Sequence, residues 1–271
     1  MPEAAPSGVI TLTTDFGHRD PFVGVMKGRI HARFMDARVV DLTHEILAHW
    51  PAEAGFWLAR SFAWFPAGTV HVAVVDPGVG TSRDIAIVAA AGHVLLAPDN
   101  GLLAPIVLRH PQAHIYRLDL ARCAPLRLGR PSATFHGRDI FAPLAAELAA
   151  GRCRPEDIGA AIDSLVPSWV DEPLTSAGAV SGVVMTVDHF GNLLTNIDAR
   201  LLGGFIEPHV YAGHRIFPVR RTYGDVGPGE YLALVNSFDV VEIAQAEGNA
   251  ASTLGLSRGA PVVVRDAVRH G

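Results

Sequence analysis

Residues 9–17 read VITLTTDFG, and the fold turns on that stretch. The run is apolar and β-branched, as a buried strand requires. It stops on a carboxylate, Asp15, two residues before Gly17. In open parallel sheets, ligands gather beyond the carboxyl ends of the strands. An acid at such an end can accept two hydrogen bonds from a ribose diol, with a glycine beside it allowing close backbone approach. The same acid could instead cap the next helix, and the residue alone leaves both readings open. Only one glycine follows the strand, which argues against a dinucleotide or methyltransferase phosphate cradle. GVGTSR (78–83) likewise lacks the GK[ST] ending of a P-loop.

Working outward, five more short apolar runs bounded by turn formers predict strands at 37–43, 68–76, 84–91, 93–98 and 113–120. Between them, 51–65 carries Ala54, Trp57, Leu58, Phe62 and Phe65 on one helical face, and 138–151 repeats the pattern up to a glycine stop. Alternating strand and helix predicts an α/β unit, a mostly parallel sheet with helices on both faces. After residue 166 the texture changes to VPSWVDEPLTSAGA, then to short turn-punctuated strands with little helical period. The expected division is an α/β domain over 1–170, a linker over 171–178 and an all-β, barrel-like domain over 179–271.

Bulk properties exclude several classes. The 271 residues carry a net charge of -5, no basic footprint for nucleic acid. No apolar run is long enough to cross a membrane, and the first residues, MPEAAPSG, lack the pattern of a signal peptide. The two cysteines, Cys123 and Cys153, sit in unrelated contexts, so a cytoplasmic protein without a disulfide framework or zinc site is expected.

Chemistry-bearing residues recur at predicted strand ends. Asp76 ends VVD before Pro77-Gly78, a tight turn that can return Arg83 onto it. A cation there keeps the carboxylate ionised, although a plain structural ion pair would look the same. His136 sits before Gly137 in TFHGRDIF, where a loop enters a helix; with 13 histidines in the chain, position alone does not make it catalytic. In the second half, VDHFGNLLTNI (187–197) offers Asp188, Phe190 and Asn192, either an ordinary hairpin or polar and stacking groups for a nucleobase. VNSFDVVEIA (235–244) adds Ser237 and Glu242.

Taken together, TDFGHRDPFVGVMKG, VVDPGVGTSR, LLAPDNGLL, TFHGRDIFAPLAAEL, VDHFGNLLTNI and NSFDVVEIA resemble the blocks of the S-adenosyl-L-methionine hydroxide adenosyltransferases, a family that includes fluorinases and chlorinases. The resemblance implies an enzyme converting S-adenosyl-L-methionine and water to adenosine and L-methionine, without a metal or other cofactor. It implies a catalytic set of Asp76, Arg83 and His136, a ribose acid at Asp15, and an aromatic wall at Trp50 and Phe135. It places Asp188 at the methionine amine, Phe190 and Asn192 toward the adenine, Ser237 on the methionine moiety and Glu242 in the block behind it. Ala250, in a loop longer than the fluorinase one, is a candidate for the adenine edge. It also implies a homotrimer with sites shared between subunits.

In the halogenating branch the positions of Asp76 and His136 resemble tyrosines. Here both are ionisable, and a carboxylate near C5′ would repel a halide, so hydrolysis is the expected reaction. A halogenase is the alternative enzyme, and a non-catalytic adenosine- or S-adenosylmethionine-binding module the alternative outside catalysis. The hydrolytic chemistry rests on aiming a water at C5′. Orientation can supply about 7–11 kcal/mol of a barrier, and general-base help about 10²–10⁴-fold.

Overall fold

The computed structural model describes residues 4–267, in two compact units that divide after Trp169. In the first unit, strands β1 (Val9–Thr14), β2 (Arg38–Thr43), β3 (Val70–Val74), β4 (Ile85–Ala90), β5 (His93–Pro98), β6 (His114–Leu118) and β7 (Gly159–Ala161) form one sheet in the order β2-β1-β3-β5-β4-β6-β7. β2, β1, β3 and β5 run parallel, whereas β4, β6 and β7 pair antiparallel in succession. The helices are α1 (Phe22–Arg33), α2 (Pro51–Ser61), α3 (Ala104–Arg109) and α4 (Ala142–Ala149).

Strand periodicity sorts the core into two layers. Ile10, Leu12, Val70, Val72 and Val74 pack with Met26 and Ile30 of α1 and with the α4 alanines and leucines. Ala73, Val75, Ala86 and Val88 face the other way, onto Ala54 and Leu58 of α2 and Ile106 of α3. Both faces are therefore covered, which is why the strands read as near-continuous apolar runs. Helix α1 was not among the expected helices. Its buried face is only Val23, Met26 and Ile30, and glycines and charged residues dilute the pattern between them. The helix expected from residue 138 begins instead with a π-helical turn, Gly137–Phe141, that leads into α4.

This wiring sets a switch point. The β1–β2 crossover carries α1 on one face, and the β2–β3 crossover carries α2 on the other. The chain thus reverses its winding between β1 and β3, the arrangement beyond whose carboxyl ends open α/β sheets gather their ligands. Asp15 follows β1 directly, and Asp76 lies two residues past β3.

The second unit contains β8 (Leu174–Ser176), β9 (Ala179–Val187), β10 (Leu193–Asp198), β11 (Pro208–Ala212), β12 (Arg215–Arg220), β13 (Tyr231–Val235), β14 (Val240–Gln245) and β15 (Pro261–Asp266). Seven of them close a barrel in the order β9-β10-β14-β13-β12-β11-β15, with β15 returning to β9. Closure leaves no free edge within the ring. β8 adds to β9 outside it and falls in the stretch expected as linker. Val184, Val210, Phe217, Val241, Ile243, Val262 and Val264 fill the interior, while Glu242, between the last β14 pair, points to the outer face. No helix among the described residues is long and apolar enough to cross a membrane.

Candidate active site

The Asp76 loop is built by short-range hydrogen bonds. Val79 N–H donates to the Asp76 carbonyl at 3.2 Å, and the Thr81 hydroxyl donates to the Gly78 carbonyl at 2.7 Å. Arg83 N–H then donates to Thr81 Oγ1, and the chain has turned back on itself. Asn100, in the APDNG segment after β5, donates its side-chain amide to the Val75 carbonyl at 2.9 Å and pins the strand end just before Asp76.

The turn delivers Arg83 onto Asp76. Its Nε lies 3.0 Å from both carboxylate oxygens, and Nη2 donates to Oδ2 as well. The same Nη2 donates to His136 Nδ1 at 2.8 Å. The pair is well shielded, with 4% of the Asp76 side chain and 11% of Arg83 exposed. A guanidinium has no acceptor, so His136 Nδ1 must carry a lone pair and the ring proton sits on Nε2. Burial lowers the His136 pKa, and the charge of Arg83 lowers it further, against smaller raising effects of Asp76, Asp139 and the Ser132 backbone. The imidazole is therefore neutral and serves as the acceptor at the end of an Asp76–Arg83–His136 chain.

His136 is placed by its own loop. Ser132 N–H donates to Asp139 Oδ2 at 2.9 Å, and Phe135 N–H donates to Ser132 Oγ at 3.0 Å. Arg138 forks onto the Asp139 carboxylate, and this direct pairing holds the acid well below the usual range. Gly80 locks the two loops together: φ is +77°, and a Cβ there would overlap the Ala133 carbonyl oxygen. Phe135 packs edge-on against Phe16 and Phe22, with ring centroids 6.0 and 5.4 Å away, so the histidine loop also touches the segment after β1.

Asp15 presents its carboxylate at the end of β1, with Oδ2 accepting the His49 N–H at 2.9 Å. One oxygen is thus held by backbone. Trp50, the next residue, sits at the start of α2 and meets Trp169 edge-on at 5.4 Å. All six residues singled out in this unit (Asp15, Trp50, Asp76, Arg83, Phe135 and His136) lie on loops at the carboxyl edge of the sheet.

In the barrel, Asp188 organises the turn between β9 and β10. Its Oδ1 accepts the N–H groups of Phe190 and Asn192 at 2.9 and 2.8 Å, and its Oδ2 accepts the Asn192 side-chain amide at 3.0 Å. Asn192 is buried and braces the acid, whereas Phe190 is 72% exposed. Gly191 has φ +87°, and a Cβ there would overlap the Asn249 side chain. Its carbonyl accepts the Ala251 N–H at 2.9 Å, which docks the turn on the segment holding Ala250, itself buried in the barrel core. Glu242 is 2% exposed, and both its oxygens are occupied: Tyr223 O–H donates at 2.7 Å and the Asn236 amide at 2.9 Å. Burial raises its pKa, against the two donors, and the charge of Asp188 raises it further. Ser237 is exposed in the turn that follows Asn236. Sequence reasoning missed Tyr223 and Asn236; the only local signal was the Thr222-to-Asp225 capping box, which marks a turn without naming its partner.

Comparison with known proteins agrees with this architecture. Residues 10–159 match the SAM hydroxide adenosyltransferase N-terminal domain, and residues 182–263 match the SAM hydroxide adenosyltransferase C-terminal domain. An (R)-S-adenosyl-L-methionine hydrolase of Thermus thermophilus is 38% identical over 254 residues, covering 92% of this chain and 96% of its own. A protein of the same name from Salinispora tropica is 38% identical over 264 residues, covering 94% and 97%. A fluorinase of Actinoplanes is more distant, 28% identical over 296 residues that cover 96% and 98%. The crystal structure of an uncharacterised conserved protein from Thermotoga maritima superposes with a TM-score of 0.85 at 33% identity, over 94% of this chain and 99% of that one. With both domains matched in order, over the sheet that carries the Asp76–Arg83–His136 chain and the barrel that carries the Asp188 turn, the protein belongs to the SAM hydroxide adenosyltransferase family.

Proposed function

We propose that the protein hydrolyses S-adenosyl-L-methionine to adenosine and L-methionine by in-line attack of water at ribose C5′. In the step, a C5′–O bond forms as the C5′–S bond breaks. The sulfonium takes the bonding pair and leaves as a neutral thioether, and one proton is released to solvent. The leaving group needs no acid, so the demand falls on aiming the nucleophile.

The observation that carries the reading is the hydrogen-bonded Asp76–Arg83–His136 chain at the switch point of the sheet. The His136 Nδ1 lone pair is committed to Arg83, so the imidazole does not take the proton in this arrangement. Asp76 keeps unused acceptor capacity beside its contacts to Arg83 and is the group that holds and orients the water. Arg83 fixes the carboxylate, and His136 fixes Arg83. Asp15 holds the ribose hydroxyls through the oxygen that His49 leaves free, with Trp50 and Phe135 as aromatic walls. In the barrel, Asp188 receives the methionine ammonium, Phe190 and Asn192 border the adenine, and Ser237 contacts the methionine moiety. Glu242, capped on both oxygens, supports that site from behind, and Ala250 borders it through backbone.

The relatives from Thermus thermophilus and Salinispora tropica are named as hydrolases of (R)-S-adenosyl-L-methionine, and the same epimer is the substrate of this reading. The working assembly is a homotrimer with shared sites, acting in the cytoplasm, where the free thiols of Cys123 and Cys153 would stay reduced. The expected domain limits, 1–170 and 179–271, remain the ones we propose for testing by separate expression.

The test is incubation of purified protein with epimer-resolved S-adenosylmethionine in ¹⁸O-water, with and without chloride. Labelled adenosine, formed faster from the (R) epimer, is the expected product. A chlorinated nucleoside would mean halogenation, and intact substrate with measurable binding would mean a binding module. Asp76→Asn should lower kcat far more than it raises KM; an equal change in both would make Asp76 a binding residue. Activity per chain that is constant on dilution through the dissociation range would rule out shared sites.

A further inference from the structure

A second histidine network lies beneath the Asp15 loop, outside the Asp76–Arg83–His136 chain. His44, just past β2, is fully buried. Its Nδ1 is 2.8 Å from Thr14 Oγ1, and Nε2 approaches Asp41 Oδ1 obliquely at 3.0 Å. Asp41 Oδ2 in turn accepts from Nζ of Lys27 at 2.6 Å, and Lys27 is the single lysine of the chain. The His18 ring stands edge-on against His44 at 5.1 Å.

The directions of these bonds are fixed by chemistry. Asp41 faces Nε2, so the ring proton belongs there and Nδ1 accepts from the Thr14 hydroxyl. The Thr14 oxygen remains free to accept, and it takes the Phe16 N–H at 3.2 Å. The His44 carbonyl takes the Gly17 N–H at 2.8 Å, and Ile46 N–H donates back to the Thr14 carbonyl. Residues 14 and 17 are therefore tied to the His44 segment, and residue 16 to Thr14, while the Asp15 carboxylate between them is turned to His49.

We infer that His44 is a positioning residue for nucleoside binding, holding Thr14 so that the Asp15 carboxylate is presented to the ribose. The inference rests on the Asp15 reading above. A fully buried imidazole with one nitrogen hydrogen-bonded and the other set against a carboxylate costs desolvation that a simple packing residue would avoid. Its ring meets Thr14, directly before Asp15, and Asp41, and its carbonyl takes the N–H of Gly17, two residues after Asp15.

The experiment compares binding of adenosine and of 2′,3′-dideoxyadenosine, by calorimetry, to the protein and to its variants. His44→Leu and the near-isosteric Thr14→Val should each weaken adenosine by about tenfold, the scale of one buried hydrogen bond. Neither should alter the affinity for the dideoxynucleoside, which lacks the hydroxyls. His44→Asn, which restores an acceptor near Nδ1, should recover most of the loss. In an Asp15→Asn background, His44→Leu should cost nothing further, because the two residues act through one contact. Equal weakening of both nucleosides, or an undiminished His44 effect in the Asp15→Asn background, would overturn the positioning role while leaving Asp15 in place. Unchanged adenosine affinity in Asp15→Asn alone would instead overturn the ribose reading itself. Thr14→Val carries the same comparison if His44→Leu does not fold, since it retains the shape of the side chain.

Discussion

Asp76 and Asp188 each follow the end of a strand, yet they are held by opposite means. Asp76 is clamped by a guanidinium seven residues on, itself tied to an imidazole 53 residues further along. Asp188 is held by its own turn, through the amides of Phe190 and Asn192 and the Asn192 side chain. The first carboxylate shares its charge with a fixed cation. The second is held by neutral donors alone in its turn. A paired carboxylate suits the orienting of a neutral water, whereas one held by neutral amides suits a cationic ligand group. The difference matches the two roles proposed for them, aiming water and receiving an ammonium.

The sharpest way to break the contrast is Arg83→Leu. It leaves a shielded carboxylate without its cation and frees His136. Turnover should fall by about 10²–10³-fold, the scale for loss of one preorganised electrostatic group. Arg83→Lys should recover little, since a point charge cannot span Asp76 and His136 together. Steady-state kinetics with saturating substrate decide it; a lysine variant near wild-type would mean that charge alone, without the fork, is enough.

Asp188→Asn attacks the other side of the comparison. The turn should survive, because an asparagine oxygen can still accept the two backbone amides. The negative charge disappears. KM should rise by about ten- to a hundredfold, as expected for a hydrogen bond to a charged group, with kcat little changed. If adenosine affinity fell as much as substrate affinity, the acid would be serving the nucleoside rather than the ammonium.

The contrast also explains what the sequence made legible. The strands of both units could be read because burial and turn formers bracket them, and the Asp188 turn is local, with its partners two and four residues away. Arg83 was legible for the same reason: a Pro-Gly turn brings it back over seven residues. The bond from Arg83 to His136 spans 53 residues, and no spacing rule reports it. Nor does any local pattern disclose that the imidazole accepts rather than stands as a base. His44, one of 13 histidines, stands below His136 on the sequence alone, because its partners come from β1 and β2. Glu242 was picked out as an acid of the last block. Its caps come from the turns on either side of β13, Asn236 from the β13–β14 hairpin and Tyr223 from the β12–β13 connection, and only the pairing of those strands shows that they meet Glu242. Helix α1 escaped because three buried residues in twelve make a thin stripe. What local chemistry builds can be read from the chain, and what packing builds needs the fold.

A subtler measurement follows the His136 proton. Its pKa lies below the ordinary 6.5, first through burial and then through Arg83. The imidazole is therefore neutral above that range, and the Arg83–His136 bond is lost as pH falls through the folded-state value. The acid limb of kcat/KM should lie below pH 6.5, and the His136 Cε1–H resonance should titrate there. Asp76→Asn should move that resonance to still lower pH, because the Asp76 charge raises the His136 pKa. An upward shift would mean that His136 does not sense Asp76 through the chain described.

The smallest effect is expected on the outer face of the barrel. Glu242 has its pKa raised above 4.5, chiefly by burial, and the Tyr223 hydroxyl pulls it back down. With a raised folded-state value, the contribution of Glu242 to stability is complete below pH 4.5 and declines as pH rises through that value. Tyr223→Phe removes a donor that favours the ionised form, so its cost should grow with pH. At acid pH the bond is neutral and part-exposed, worth about 0.5–1 kcal/mol; once Glu242 ionises it should be worth roughly twice that. In a chain of this size that corresponds to a thermal midpoint lowered by about 2–4 °C per kcal/mol. Midpoints of the wild type and Tyr223→Phe, measured across pH 4 to 7, should therefore diverge as pH rises. A constant gap would mean that Glu242 keeps one protonation state over the whole range.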